Sequence, residues 1–311
     1  MNTLNLNLLR VFHTVARLQS FTRAAEALFL TQPGISKHVK SLEDHYGTRL
    51  FDRLGKKVVL TQAGETLFPS VDRIFQLLDR SEKEIADLKG MKSGDLRIGA
   101  SVTIGIYFLP GILQQFQKLH PGIRVSLDID LNRQIVEKIL DNAVDIGLLG
   151  APETDDRLSV TPFFKDELVV IAPVDRAWAA RDAVRPLDLL GERFIFSQPG
   201  SGTRTIIEDR LRQAGVVLTN TIEFGHTEAV KKAVEAGLGI SILSRSTIVK
   251  EEKLGTIRSV ALSEVDLDRH FYFAYRKDKY LTRLVRTFLQ FIVYRSGERE
   301  GSRRKREHET G

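Results

Sequence analysis

The chain has 311 residues, 42% of them hydrophobic and 28% charged, and it contains no cysteine. That length supports about two domains of ordinary globular composition. The missing cysteines exclude disulfides, thiolate metal sites and thiol nucleophiles. The formal charge of +6 is unevenly placed: residues 1–61 hold nine Lys/Arg against four Asp/Glu, a net +5, whereas residues 62–294 hold 31 against 32. A compact basic block on a neutral body points to a polyanion partner for the first segment only.

Residues 4–18 place Leu8, Val11, Phe12 and Val15 on one helical face. Ser20 or Thr22 can cap a short second helix whose Ala24 and Ala25 allow a close crossing. Thr31 caps a third helix, with Pro33 in its first turn and Gly47 at its end. On that helix Ile35, Val39 and Leu42 share a buried face, while Pro33, Ser36, Lys37 and Lys40 share a polar, basic one. Two helices in this arrangement form a helix-turn-helix. Residues 49–61 read as two short strands around a Gly-Lys turn, a wing.

A long helix follows over 62–89. Leu67, Val71, Ile74, Leu78, Ile85 and Leu88 keep a 4-3-4-3 spacing, which predicts a coiled-coil seam with a second copy, and Pro69 predicts a kink. Beyond residue 90 strands and helices alternate, so about 200 residues are expected to build two parallel sheets with helices on their faces. The charged segment 295–311 lacks core residues and reads as disordered. No apolar run approaches the roughly 18 residues of a membrane span, and MNTLNLNLLRVFHTV has no export-signal pattern. The seven histidines form no HExxH or close pair, so neither metal nor cofactor is expected.

The block SFTRAAEALFLTQPGISKHVKSLEDHYGTRLFDRLGKKVVLTQAGE, the long helix and GHTEAVKKAVEAGLGISILS together resemble the LysR-type transcriptional regulators over residues 2–294. The resemblance implies a bacterial, cytoplasmic DNA-binding protein that is not an enzyme. Its implied fold is a winged helix-turn-helix (1–61), a linker helix for dimerisation (62–90) and a two-lobed α/β effector domain shaped like a periplasmic binding protein (91–294). Lobe one would comprise 91–164 and 267–294, and lobe two 165–266. Implied partners are double-stranded promoter DNA at dyad sites, a small-molecule effector, RNA polymerase, and further copies of the chain in a homodimer or homotetramer.

By position, base reading falls on Gln32, Pro33, Ser36 and Lys37. Many members have Arg where Lys37 stands, and Lys lacks the planar bidentate fork that reads guanine, which implies looser specificity at that step. Arg23, Thr31, Lys40, Arg49, Arg53 and Lys56 are placed for phosphates, which set register without reading sequence.

Loops at the carboxyl ends of strands line the ligand crevice of open α/β sheets. Three such loops are candidates: Ser101, Val102 and Thr103; Gln198, Gly200, Ser201, Gly202, Thr203 and Arg204; and His226 and Thr227 with Glu228. Hydroxyls and glycines at a helix start, with Arg204 as a fixed charge, suit an anion. The segment lacks the Lys-Ser/Thr pair of a P-loop. It is similar to members that control carbon fixation or sulfur assimilation. An alternative is a solute-binding or ligand-transforming α/β protein with an incidental basic N-terminal domain. The missing export signal and residues 1–61 disfavour it, and His226 has no partner that would make it catalytic.

Overall fold

A computed structural model describes residues 4–54, 57–88, 93–176 and 181–309. The chain divides into two compact units, residues 1–86 and 87–311.

The first unit packs three helices, α1 (Leu6–Leu18), α2 (Phe21–Ala27) and α3 (Gln32–Tyr46), around Phe12, Val15, Ala24, Ile35 and Leu42. Polar caps set their starts. Asn5 Oδ1, Ser20 Oγ and Thr31 Oγ1 accept from the amides of Leu8, Arg23 and Gly34. Gly47 ends α3 at φ 67°, the left-handed conformation that glycine adopts without penalty. The wing is an antiparallel pair, β1 (Phe51–Leu54) and β2 (Lys57–Leu60).

Helix α4 (Gln62–Leu88) runs unbroken through Pro69. Its first half does not belong to a free seam. Val71 is 1% exposed and packs into this unit's core with Leu67, Phe68 and Phe75. His13 of α1 stacks on Phe68 and meets Asp72 at 2.9 Å. The three-helix domain is too small to close its own core, and the start of α4 covers it. Among the described side chains of α4, the large apolar ones left exposed are Ile74, Leu77, Leu78 and Ile85.

In the second unit, β3 (Gly94–Ser101) pairs in parallel with β4 (Ile123–Asp130) and β5 (Ile146–Leu149). A π-helical turn (Ile104–Phe108) leads into α5 (Leu109–Leu119), and α6 (Asn132–Leu140) follows β4. The 16-residue strand β6 (Leu158–Pro173) then crosses from one lobe to the other. On lobe two lie β7 (Ala183–Val184), β8 (Phe194–Ser197), α7 (Gly202–Gln213), β9 (Thr221–Phe224), α8 (Thr227–Glu235), β10 (Ser241–Ser244), α9 (Val249–Leu254) and β11 (Ile257–Leu262). Strand β12 (Asp268–Arg276) returns antiparallel to β6, and α10 starts at Arg283.

Two separate parallel sheets are therefore not what forms. One hydrogen-bonded path, β4-β3-β5-β12-β6-β11-β7, runs through both lobes, with β10 also on β6 and with antiparallel pairs at its centre. The cause is the length of β6. Its first half pairs with β12 and its second half with β10 and β11, so it is shared between lobes. Strands β8 and β9 form a parallel pair tied to Ile240 by a single bridge at Phe194. Each lobe keeps its own apolar core, one around Phe108, Phe116, Phe271 and Phe288, the other around Phe194, Leu189 and Ile242.

The segment 295–311, expected to be disordered, instead continues α10 to Glu309. Its Arg, Lys and Glu residues are good helix formers, and a helix already nucleated by the buried Phe288 and Ile292 propagates through them despite Gly297 and Gly301, each of which costs about 1 kcal/mol. Among the described residues no helix is long and apolar enough to cross a membrane.

Candidate functional site

The described DNA-contact candidates of the first unit lie at or near its surface. Ile35, Val39 and Leu42 bury one side of α3, leaving Gln32, Pro33, Lys37 and Lys40 exposed and Ser36 half-buried. Arg23, Thr31 and Arg49 are also exposed. Arg53 lies in β1 but its side chain falls outside the described residues, as does all of Lys56. One residue that sequence reasoning missed holds this surface together. Glu43 Oε1 accepts from the amides of Leu50 at 2.8 Å and Phe51 at 3.4 Å, tying α3 to the start of the wing.

Between the lobes lies a cavity of about 460 Å³ including its open mouth. Its walls come from the carboxyl ends of β3, β4, β5, β8 and β9 and from the helix starts that follow them. Ser101, Val102, Thr103, Gln198, Ser201, Gly202, Thr203, His226 and Thr227 all line it. Gly202 stands where a Cβ would come 3.2 Å from the Cβ of Ala151, a tight contact that glycine relieves where the two loops approach. Asn132 fixes the opposite loop, accepting from Gly150 N at 3.1 Å and donating to Ala151 O at 3.3 Å. Ser201 and His226 occupy the N-cap positions of α7 and α8 without a side-chain cap bond, so both helix N-termini present first-turn amides to the cleft.

Gly200 and Arg204 are not brought to the cavity. Arg204 is turned away over the ring of Phe196 at 4.9 Å. It donates to Glu208 at 2.8 Å, Glu223 at 2.7 Å and the carbonyl of Ser197 at 3.1 Å. The cation that does line the cavity is Arg269, on the crossing strand β12. Its side chain is 3% exposed. Nε donates to Asp166 Oδ2 at 2.8 Å and Nη1 to Thr203 Oγ1 at 2.8 Å. The other oxygen of Asp166 accepts from Ser244 Oγ at 2.6 Å. Arg269 Nη2 and Ser101 Oγ are both buried at this wall without a protein partner. A buried donor left unpaired is costly, so such groups ordinarily mark where another molecule supplies the acceptor.

A second cluster, of which the sequence pointed only to Glu228, joins the lobes. Tyr107, on the π-helical turn of lobe one, donates to Glu228 at the start of α8. Lys231, almost fully buried, lies 5.0 Å below the Tyr107 ring. It reaches Glu228 at 2.8 Å, Glu251 at 2.9 Å and the carbonyl of Thr247 at 3.0 Å. Burial, followed by the Glu228 hydrogen bond, pushes the Tyr107 hydroxyl far above the usual phenol range, so it stays a donor.

Comparison with known proteins assigns the family. Residues 6–65 match the bacterial regulatory helix-turn-helix proteins of the LysR family, and residues 89–296 match the LysR substrate binding domain. The chain belongs to the LysR family. This LysR-type transcriptional regulator is 39% identical over 291 residues to the RuBisCO operon transcriptional regulator of Allochromatium vinosum, covering 93% of this chain and 95% of that one. Among solved structures it is similar to a full-length OxyR variant from Pseudomonas aeruginosa, with a TM-score of 0.74, 25% identity, and coverage of 93% and 95%. It is also similar to the regulatory domain of CcmR from Synechocystis PCC6803 in complex with 2-PG. That match has a TM-score of 0.62, 31% identity, and coverage of 66% of this chain and 98% of that one. Of the two sub-groups that the PGSGTR segment resembles, the relatives match the carbon-fixation regulators.

Proposed function

We propose that this regulator binds dyad promoter DNA through α3 and its wing, and holds a small anion between the lobes of its second unit as effector. Gln32, Pro33, Ser36 and Lys37 read bases, while Arg23, Thr31, Lys40 and Arg49 hold phosphates. Ile74, Leu77, Leu78 and Ile85 form the exposed stripe through which α4 pairs with a second copy, and two such dimers make the tetramer. The likeness to RuBisCO operon regulators supports control of carbon-fixation genes, and the reading is completed by action in the cytoplasm through contact with RNA polymerase.

The observation that carries the effector reading is the convergence of donors on one wall. Arg269 and Ser101, whose Nη2 and Oγ are buried without a protein partner, line the same cavity as two helix N-termini that lack a side-chain cap. Asp166 neutralises Arg269, so the site recognises an anion by directed hydrogen bonds rather than by net charge. A phosphorylated carboxylate fits this chemistry better than a bare sulfur oxyanion, because donors lie on both lobes. The complex of the CcmR domain with 2-PG supports this class.

The test is thermal unfolding of the full chain against 2-PG, sugar phosphates, simple carboxylates and sulfur oxyanions. A ligand at about 100 times its dissociation constant stabilises by roughly 2.7 kcal/mol. Stabilisation by a phosphorylated acid that is lost in Ser101→Ala and Thr203→Val, and retained in Arg204→Ala, is the expected result. Loss in Arg204→Ala with retention in the other two would overturn the assignment.

A further inference from the structure

Helix α2 ends in a Schellman motif: the amide of Leu30 bonds the carbonyl of Ala25 at 2.9 Å and that of Phe29 bonds Glu26 at 3.2 Å. The residue after the C-cap of such a motif takes the left-handed conformation and is usually Gly, sometimes Asn. Here it is Phe29, at φ 54°. The other non-glycine residues at positive φ among those described, Gln19, Asn142 and Glu264, are all polar. A Cβ costs roughly 1 kcal/mol in this conformation, and an aromatic has no polar group with which to offset it locally. Nor does packing compensate, because Phe29 is 96% exposed. Its ring contributes nothing to the fold of the unit that carries it.

The position of the ring indicates what it contributes to. Phe29 lies two residues before Thr31, the cap of α3, and therefore in the turn that leads into the proposed recognition helix. Exposed cations stand on α2, α3 and the wing approach, at Arg23, Lys37, Lys40 and Arg49, within a segment of net charge +5. A surface of that charge repels a basic partner and favours a polyanion. A helix-turn-helix enters the major groove with the N-terminal part of its second helix, which brings the preceding turn to the groove's edge. The apolar atoms there are the deoxyribose carbons and the C5-methyl of thymine, and Phe is among the side chains that contact that methyl.

We propose that Phe29 is a DNA-contacting residue whose ring packs on apolar atoms at the edge of the major groove. The proposal rests on the DNA-binding reading above. It adds an apolar contact, on a backbone that Asn or Gly would adopt at lower cost, to a surface otherwise built from cations and hydroxyls.

The experiment uses the full chain and a duplex recovered by the wild-type protein from a randomised pool. Phe29→Asn relieves the backbone and removes the ring, so its unfolding temperature rises by about a few degrees. Its affinity for the duplex falls about tenfold, as expected for one buried ring face. Phe29→Ala, which keeps the disfavoured backbone, loses the same affinity without the stability gain. Uracil replacing each thymine in the duplex separates the two sources. A loss at one position, absent in Phe29→Ala, assigns the methyl, and no loss at any position assigns the sugar. Phe29→Asn binding as tightly as wild type would overturn the proposal alone, as would Phe29→Asn changing oligomeric state with unchanged DNA affinity. Recovery of no duplex by the wild-type chain would overturn the DNA-binding reading with it.

Discussion

Arg204 and Arg269 differ in what their removal does, and the difference can be worked from their surroundings. Arg204 pairs with Glu208 and Glu223, whose side chains are 37% and 51% exposed. Water replaces such partners readily and no buried charge is left behind, so Arg204→Ala costs about 1–2 kcal/mol, part of it from the lost packing on Phe196 and the lost bond to the Ser197 carbonyl. Arg269 and Asp166 are each 3% exposed, and among the described residues the donor left to Asp166 without the guanidinium is Ser244. Breaking one side of a buried pair costs roughly 3–5 kcal/mol, because the other charge stays buried and uncompensated. Arg269→Met therefore lowers the unfolding temperature of the second unit by about 10 °C, at roughly 2–4 °C per kcal/mol for a unit of this size. Replacing both partners by apolar side chains, Arg269→Met with Asp166→Leu, recovers most of that stability. The double variant still fails to respond to the anion, since Nη2 is gone. Urea unfolding of the four proteins of the cycle gives the coupling energy directly. A single variant costing under about 1 kcal/mol, or a double variant with a full anion response, would refute the reasoning.

Three further outcomes follow from the same geometry. Glu43→Ala removes the acceptor for the amides of Leu50 and Phe51, costs about 1.5–3 kcal/mol, and weakens binding to a selected duplex as the wing detaches from α3. Gly239→Ala places a Cβ 2.3 Å from the carbonyl oxygen of Arg193, a backbone atom that cannot yield, so the bridge between Phe194 of β8 and Ile240 opens. Rapid hydrogen exchange at Ile195 and Ile240 would report it, and wild-type protection there would contradict it. Burial alone would raise the Asp145 carboxyl, but the Arg97 side chain and amide and the Lys279 ammonium outweigh it and hold the group well below the usual carboxylate range. A depressed folded-state value contributes stability that is present above about pH 4 and lost as pH falls further. Asp145→Asn is therefore less stable than wild type at pH 7, and the gap in unfolding free energy narrows below pH 4. A gap independent of pH would show that the carboxylate's charge is not what matters there.

Local chemistry by itself determined most of this protein's parts. The caps at Ser20 and Thr31, the stop at Gly47 and the two-faced spacing of α3 are short-range signals, and each acts within a few residues of the element it sets. Loops at the ends of strands are equally local, which is why nine of the cavity's residues were legible from pattern alone. Long-range geometry decided the rest. Val71 keeps heptad spacing, yet it is drawn into the first unit because the three helices leave their core open. Residues 158–173 alternate too irregularly to announce a strand, and only pairing with β12, β10 and β11 makes them one. Arg204 and Arg269 show the limit most clearly. A helix-start arginine beside glycines has the composition of an anion site, but Glu223, 19 residues away, and Glu208 claim its donors. Arg269 gives no local sign of its role. Its burial and its partners, Asp166 and Thr203, 103 and 66 residues distant, arise only when β6 and β12 cross between the lobes.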